Sequence, residues 1–287
     1  QPGFDAATIF NPESRPNSPT PFPVTPEMEL PEYHDFGVEF EGPAVQSLQA
    51  SFLQSWLVQE NNLEPKTNQA EFVRRYFPRP NIDGESYLPV KLIHSVPKGE
   101  SEYRQSVLDI VDTAQGTLDI NFAYILIPEF IKHVQKAAKR GVKVRILVPG
   151  EDGTDKESTW LAFRSYYPDL LKTGNVQMLE FKTYTHCKFI VADSRMVFTS
   201  TGNPEYNSWE GGWDETALID SPQFAAEIER RVFDVDFAPN RADDIDLAEE
   251  ASLSLWGKIK QFFFLLLISF PDFDCYAIHR AELCVLS

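Results

Sequence analysis

Four side chains between Thr185 and Asn203 are spaced for work on a phosphodiester: His186, Lys188, Asp193 and Asn203, in the stretch THCKFIVADSRMVFTSTGN. On a strand, residues two apart share a face, so His186 and Lys188 project together while Cys187 and Phe189 turn the other way. An ammonium beside an imidazole suits this chemistry. Lys188 neutralises a non-bridging oxygen, and His186 attacks phosphorus or hands over a proton. If the chain reverses after Asp193, then Ser200, Thr201 and Asn203 return to the same end. Asn203 offers an amide donor there, and the small residues let the backbone approach a phosphate. The second imidazole nitrogen needs a carboxylate to hold it and to stabilise its cation. Glu215, at the head of the stretch ETALID, is the candidate, with Asp214 as its rival. H-x-K alone means little. H-x-K-x4-D followed by a small-residue turn ending in Asn is far more specific, and the chain contains it once.

Strands alternating with helices must position these residues. VKLIHSV reads as a strand, Glu100 to Gln115 as a helix buried through Val107, Leu108, Ile110 and Val111, and LDINFAYIL as a strand. Pro128 opens a helix that Gly141 stops. VKVRILVP is a strand, Asp155 to Lys172 a helix ended by Gly174, and VQMLEF a strand. CKFIVAD and MVFTS form a hairpin, ETALID a further strand, and Pro222 to Asp234 a last helix. The pattern predicts an α/β sandwich with a largely buried mixed sheet flanked by helices. Upstream, HDFGVEF alternates like a short strand, and Val45, Leu48, Phe52, Trp56 and Leu57 recur near helical period.

Composition divides the chain into four segments. Residues 1–33 hold eight of the 21 prolines and read as a disordered arm. Residues 34–87 are a strand and helix followed by a polar stretch, 88–238 the catalytic α/β segment, and 239–287 an acidic linker, read as solvated, with an apolar tail. The apolar run Phe262 to Ile268, with Ser269 and Phe270 beyond it, is about half of the roughly 20 residues a spanning helix needs. With no leader visible after Gln1, the expectation is a cytoplasmic or peripheral membrane chain with no signal peptide and no transmembrane helix. Leu253 to Phe270 is the candidate for surface contact, against a plain terminal helix. Both ends read like a piece of a longer protein.

A net charge of −17 argues against a broad grip on nucleic acid, so an anionic substrate must be held by a few local cations. The cysteines, Cys187, Cys275 and Cys284, have no disulfide or metal spacing and favour a reducing compartment. Cys187 reads as core packing, and His94, His133 and His279 as structural or surface residues. No metal or other cofactor is expected.

HCKFIVADSRMVFTSTGN resembles the H-x-K-x4-D-x6-G-S-x-N signature of the phospholipase D superfamily. INFAYILIPEFIKHVQKAAKRGVKVRILVPG is similar to the segment before the second signature in bacterial cardiolipin synthases and related phosphatidyltransferases. HDFGVEFEGPAVQSLQASFLQSW resembles the strand and helix that close their first half. The resemblance implies two similar α/β halves meeting at a pseudo-twofold axis, one histidine becoming phosphorylated and the other protonating the leaving group. His186 is then a catalytic histidine, and Lys188, Ser200, Thr201 and Asn203 surround the phosphate. Asp193 belongs to the signature but is more structural in the family, and Glu215 or Asp214 orients the histidine. Here Ser200 replaces the usual Gly and Gly202 follows it, and no second H-x-K is present.

Three functional readings follow. The first is a phosphatidyltransferase or phosphodiesterase acting on phospholipid, completed by a second copy whose His186 crosses an isologous interface, or by a missing half. The second is a single-signature nuclease, which the acidic charge disfavours. The third is an incomplete fragment serving as partner or scaffold.

Overall fold

Apolar residues of period two and period 3.6 alternate from Val90 onward, and the chain folds along that alternation. The computed structural model describes residues 6–10, 33–60, 69–77, 88–96, 102–154, 156–246, 259, 262 and 263. In chain order the elements begin with β1 (Ala6–Phe10), β2 (Tyr33–His34), β3 (Gly37–Glu41), α1 (Ala44–Glu60) and α2 (Gln69–Tyr76). Then come β4 (Val90–His94), α3 (Glu102–Thr113), β5 (Thr117–Phe122), α4 (Pro128–Arg140) and β6 (Lys143–Pro149). They continue with α5 (Glu157–Arg164), α6 (Tyr167–Leu171), β7 (Val176–Phe181), β8 (Tyr184–Thr185), β9 (Lys188–Ala192) and β10 (Met196–Ser200). The last are α7 (Tyr206–Trp209), β11 (Glu215–Asp220), α8 (Pro222–Ile228), a π-helical turn (Glu229–Phe233), α9 (Asp234–Asp236) and β12 (Ala242–Ile245).

Eight strands form one mixed sheet in the order β12-β7-β6-β5-β9-β10-β11-β4. The β5, β6 and β7 strands run parallel, and the remaining neighbours are antiparallel. Both faces are covered. Ile190, Ala192 and Phe198 pack with Val107, Phe130 and Val134 from α3 and α4. Their strand neighbours Phe189, Val191 and Val197 pack on the opposite side with Phe224, Ile228 and Phe233. A strand buried on both faces must read as a continuous apolar run, which is why FIVA and MVF carry no polar residue. Gly141 ends α4 in the left-handed region at φ 103°.

Several expectations need correction. The helix expected from Asp155 to Lys172 divides into α5 and α6, with Pro168 in the first turn of the second. Pro168 has no N–H to continue the hydrogen-bond ladder of the first helix, and it is tolerated in the first turn of a new one. The acidic stretch read as solvated contributes β12, an antiparallel edge partner of β7 with Ala242 and Ile245 buried. Within the segment read as a disordered arm, Ala6–Phe10 pair antiparallel with β3. A short edge strand is compatible with nearby proline, since it asks for pairing on one side only. Part of the polar stretch after Glu60 is helical, as α2. On α1, Val45 is 42% and Phe52 57% exposed, so that part of the periodic face stays outside the core. Most of Leu253 to Phe270, and His279, Cys275 and Cys284, lie outside the described residues. Within that tail Ile259, Phe262 and Phe263 are helical and exposed. Among the described residues no helix is long and apolar enough to cross a membrane.

The early segment is tied to the sheet by a buried polar anchor. His34 is 1% exposed, and its Nε2 lies 3.0 Å from Asp236 Oδ2. Its ring stacks on Phe181 at 5.1 Å and meets Phe36 edge-on at 4.8 Å. Arg241 is equally buried, with Nε 3.6 Å from Asp236 Oδ1. The β2 strand runs parallel to β8, and the His186 amide donates to the His34 carbonyl at 2.7 Å. Asp236→Ala would remove the carboxylate beside the buried Arg241 guanidinium and take it from His34 as well. It is expected to cost about 3–5 kcal/mol, read as a lower denaturation midpoint at an unchanged m-value.

Asp193 braces the other end of β9. It sits in the three-residue β9–β10 turn, Asp193 to Arg195, in the left-handed region at φ 54°, followed by Ser194 at φ 48°. Its carboxylate accepts from the amides of Gln115 (2.9 Å), Gly116 (2.6 Å) and Thr117 (3.1 Å). Burial pushes its pKa up, but these three donors outweigh burial and hold it below the usual aspartate value. The depressed pKa means stability that is present above the unfolded value and lost as pH falls through the folded one. Asp193→Ala is expected to cost about 1–2 kcal/mol at neutral pH, modest because the group is exposed. The deficit should shrink in urea titrations run below about pH 4.

Candidate active site

His186 lies between β8 and β9, where the chain enters the sheet beside β2. Because His34 points inward, its neighbour Asp35 points outward. The Asp35 carboxylate meets His186 Nδ1 at 2.9 Å, with the two side chains 26% and 35% exposed. Two residues along, Lys188 is 6% exposed, and its ammonium donates to the His186 carbonyl at 2.7 Å. Burial holds Lys188 below the ordinary lysine pKa, with Asp35, then Cys187, Glu205 and Asp214, pulling part of the way back. Cys187 faces the core, and burial pushes its thiol well up, as packing and not nucleophilic use requires.

Asn203 arrives from the β10 side, 5% exposed, with Nδ2 3.5 Å from Glu205 Oε1 and Oδ1 unpaired. Burial raises the Glu205 pKa, countered by Asn203 and by the charges of Lys156 and Lys188. Tyr184 stacks on the His186 ring at 6.0 Å and 28°. The site thus holds an oriented imidazole, a buried ammonium, an amide and several carboxylates. Asp35 engages Nδ1 and so fixes Nε2 as the nitrogen for proton or phosphorus chemistry. Among the described residues no group of His, Cys, Asp and Glu is arranged to hold a metal ion.

Other expected site residues are placed differently. Glu215 pairs with His94, its Oε1 2.5 Å from Nδ1, and not with His186. Burial raises its pKa against the pull of His94. Asp214 accepts from the Thr201 hydroxyl at 2.9 Å, and that same oxygen receives the Glu215 amide at 3.1 Å. The Ser200 hydroxyl contacts Thr216 Oγ1 at 2.8 Å and accepts the Gly202 amide at 3.0 Å. These hydroxyls are engaged within the turn and shape it. Gly202 is demanded by close approach, since a Cβ there would lie 2.7 Å from Ser208 Oγ and 2.9 Å from the Asp214 carboxylate. Asp193 lies at the far end of β9. At about 3.3 Å per residue it is beyond reach of His186, and its contacts are those of a brace.

Asp35 is the residue that sequence reasoning missed, and a signal for it exists. His34 to Pro43 reads HDFGVEFEGP, and Trp213 to Pro222 reads WDETALIDSP. Each stretch has an aspartate at the head of a strand, alternation along it, then an acid, a small residue and a proline that opens a helix. Asp35 therefore repeats Asp214.

Comparison with known proteins agrees with this fold. A family model described as "Cardiolipin synthase, PLD-like domain" matches residues 107–235. Cardiolipin synthase 2 of Bacillus anthracis is 28% identical over 190 residues, covering 65% of this chain and 35% of that protein. Cardiolipin synthase 1 of the same organism is 26% identical over 212 residues, covering 73% and 41%. This chain therefore spans well under half the length of these curated relatives. In three dimensions, phosphatidylserine synthase of Haemophilus influenzae superposes with a TM-score of 0.52 at 15% identity, over 78% of this chain and 55% of that one. That likeness is one of fold. Residues 107–235 form a phospholipase D-like domain.

Proposed function

We propose that this chain supplies one histidine-bearing half of an active site that transfers or hydrolyses phospholipid phosphodiesters through a phosphohistidine. The observation that carries the reading is the Asp35–His186 pair beside buried Lys188 and Asn203. His186 Nε2 attacks phosphorus, the bond from phosphorus to the leaving oxygen breaks, and that oxygen takes a proton from a second histidine. An alcohol or water then attacks, gives its proton to the second histidine, and releases His186. Lys188 and Asn203 hold the non-bridging oxygens, and Asp35 stabilises the imidazolium form of His186. The names of the cardiolipin synthase relatives and the net charge of −17 support a phospholipid over a nucleic acid.

The second histidine comes from another copy of the chain or from a further segment. Asp214, which repeats Asp35, is the carboxylate placed to orient it. Peripheral contact with a bilayer belongs to the same reading, since the phosphodiester must be reached at the lipid surface.

Quenching under alkaline conditions with phosphorus-labelled phosphatidylglycerol tests the covalent step. Label is expected on the native chain and absent from His186→Ala, while Asp35→Asn should lower turnover about 10²–10⁴-fold. An active chain that sizing shows to be strictly monomeric would remove the second-copy version. No label from any phosphodiester, with an intact dimer, would remove the reading altogether. The lowered pKa of Lys188 makes a separate prediction. Binding of vanadate should be lost as pH rises through a value below the ordinary lysine pKa, and Lys188→Arg should carry binding to higher pH.

A further inference from the structure

A line of aromatic and charged side chains leads away from His186 on one flank. Tyr184 stacks on the imidazole, its hydroxyl meets that of Tyr124 at 3.2 Å, and the Lys156 ammonium stands 5.4 Å over the Tyr124 ring. Tyr184 belongs to β8, Tyr124 to the loop after β5, and Lys156 to the residue before α5. None of the three belongs to the hydrophobic core. Packing therefore does not explain why three separate elements bring them together. Lys156 is exposed and makes no ion pair among the described residues. A ring beneath an ammonium holds it in place without neutralising it, so its charge stays available to an anion.

We propose that Lys156, Tyr124 and Tyr184 form a second anion subsite, which takes a phosphate carried by a substrate beside the phosphodiester that reacts at His186. The inference rests on the reading of His186 and Lys188 as the reacting phosphate site. Phosphate would accept from the ammonium and from the one tyrosine hydroxyl proton that the Tyr124–Tyr184 contact leaves over, while the second hydroxyl orients the first. The two lysines divide the work by burial: Lys188 meets a group that has entered, and Lys156 keeps its charge at the rim. Both act on Glu205, whose pKa burial raises.

Calorimetric titration of the full chain with propane-1,3-diol bisphosphate and with propyl phosphate tests the subsite. The bisphosphate is expected to bind about tenfold more tightly. Lys156→Gln should erase that preference and leave propyl phosphate unchanged, with Lys156→Arg retaining it and Tyr124→Phe reducing it. Lys188→Gln should weaken both ligands. Flotation with phosphatidylcholine vesicles, with and without phosphatidylglycerol, is the second arm. Dependence on Lys156 there assigns the second phosphate to a lipid headgroup, and dependence with the soluble bisphosphate alone assigns it to a soluble substrate. A Lys156→Gln variant that matches the native chain in both arms overturns the subsite. If propyl phosphate binds through Lys188 and no preference exists, the second subsite falls and the first stands. If propyl phosphate does not bind, both fall.

Discussion

For Asp35 to face the site, His34 must face the core. The β2 strand spans only Tyr33–His34, too short for its register to be set by ladder hydrogen bonds alone. The buried contact of His34 with Asp236 and the Phe181 ring supplies what the ladder lacks. A slip of one residue would exchange the two side chains, placing a carboxylate in the core and an imidazole outside. Orientation of His186 thus depends on an anchor that takes no part in chemistry. It also joins distant parts of the sequence: Asp236 ends α9, Phe181 ends β7, and Arg241 precedes β12.

Charge at the site is arranged against the charge of the whole. The chain carries −17, yet Lys188 is buried, and Asp35, Glu205 and Asp214 all bear on it. Repulsion of a polyanion acts over about 8 Å at physiological ionic strength, whereas a buried ammonium acts at contact and is screened little. Such a combination favours a phosphodiester presented singly over a nucleic-acid backbone. It also explains why a lysine in the interior keeps a use for its charge: the surrounding carboxylates offset part of the burial that would remove its proton.

Much of this was legible in the sequence. Continuous apolar runs gave the central strands β5, β6, β7, β9 and β10, Gly141 gave the end of α4, and the alternation through the signature turned Cys187 and Phe189 to the core. What escaped was set by partners far along the chain. β12 is acidic at Asp243 and Asp244, and only pairing with β7 makes Ala242 and Ile245 core residues. Glu215 has the right chemistry and lies close in sequence to the signature, but on an antiparallel strand it falls opposite His94 and pairs there. Asp35 lies 151 residues from His186, and only the likeness of HDFGVEFEGP to WDETALIDSP points to it. The helix of α1 misled in another way. Helical period identifies a helix, but not whether anything covers its apolar face, and Phe52 is left exposed.

The repeat of HDFGVEFEGP by WDETALIDSP bears on completeness. Both aspartates stand at the head of a strand and both carboxylates are held, Asp35 by His186 and Asp214 by the Thr201 hydroxyl, packed against Gly202 and Gly212. Fixing Asp214 in this way has a cost, since glycine is required at Gly202 by close contact and the turn hydroxyls are fully engaged around it. A fixed carboxylate suits the orientation of an imidazole, and one of the two has its imidazole in this chain. The other is held in the same manner, and the proposed function assigns it to a second histidine. On that proposal the solitary signature belongs to a paired arrangement, with two fixed acids in one chain and His186 as one of the two imidazoles they would hold.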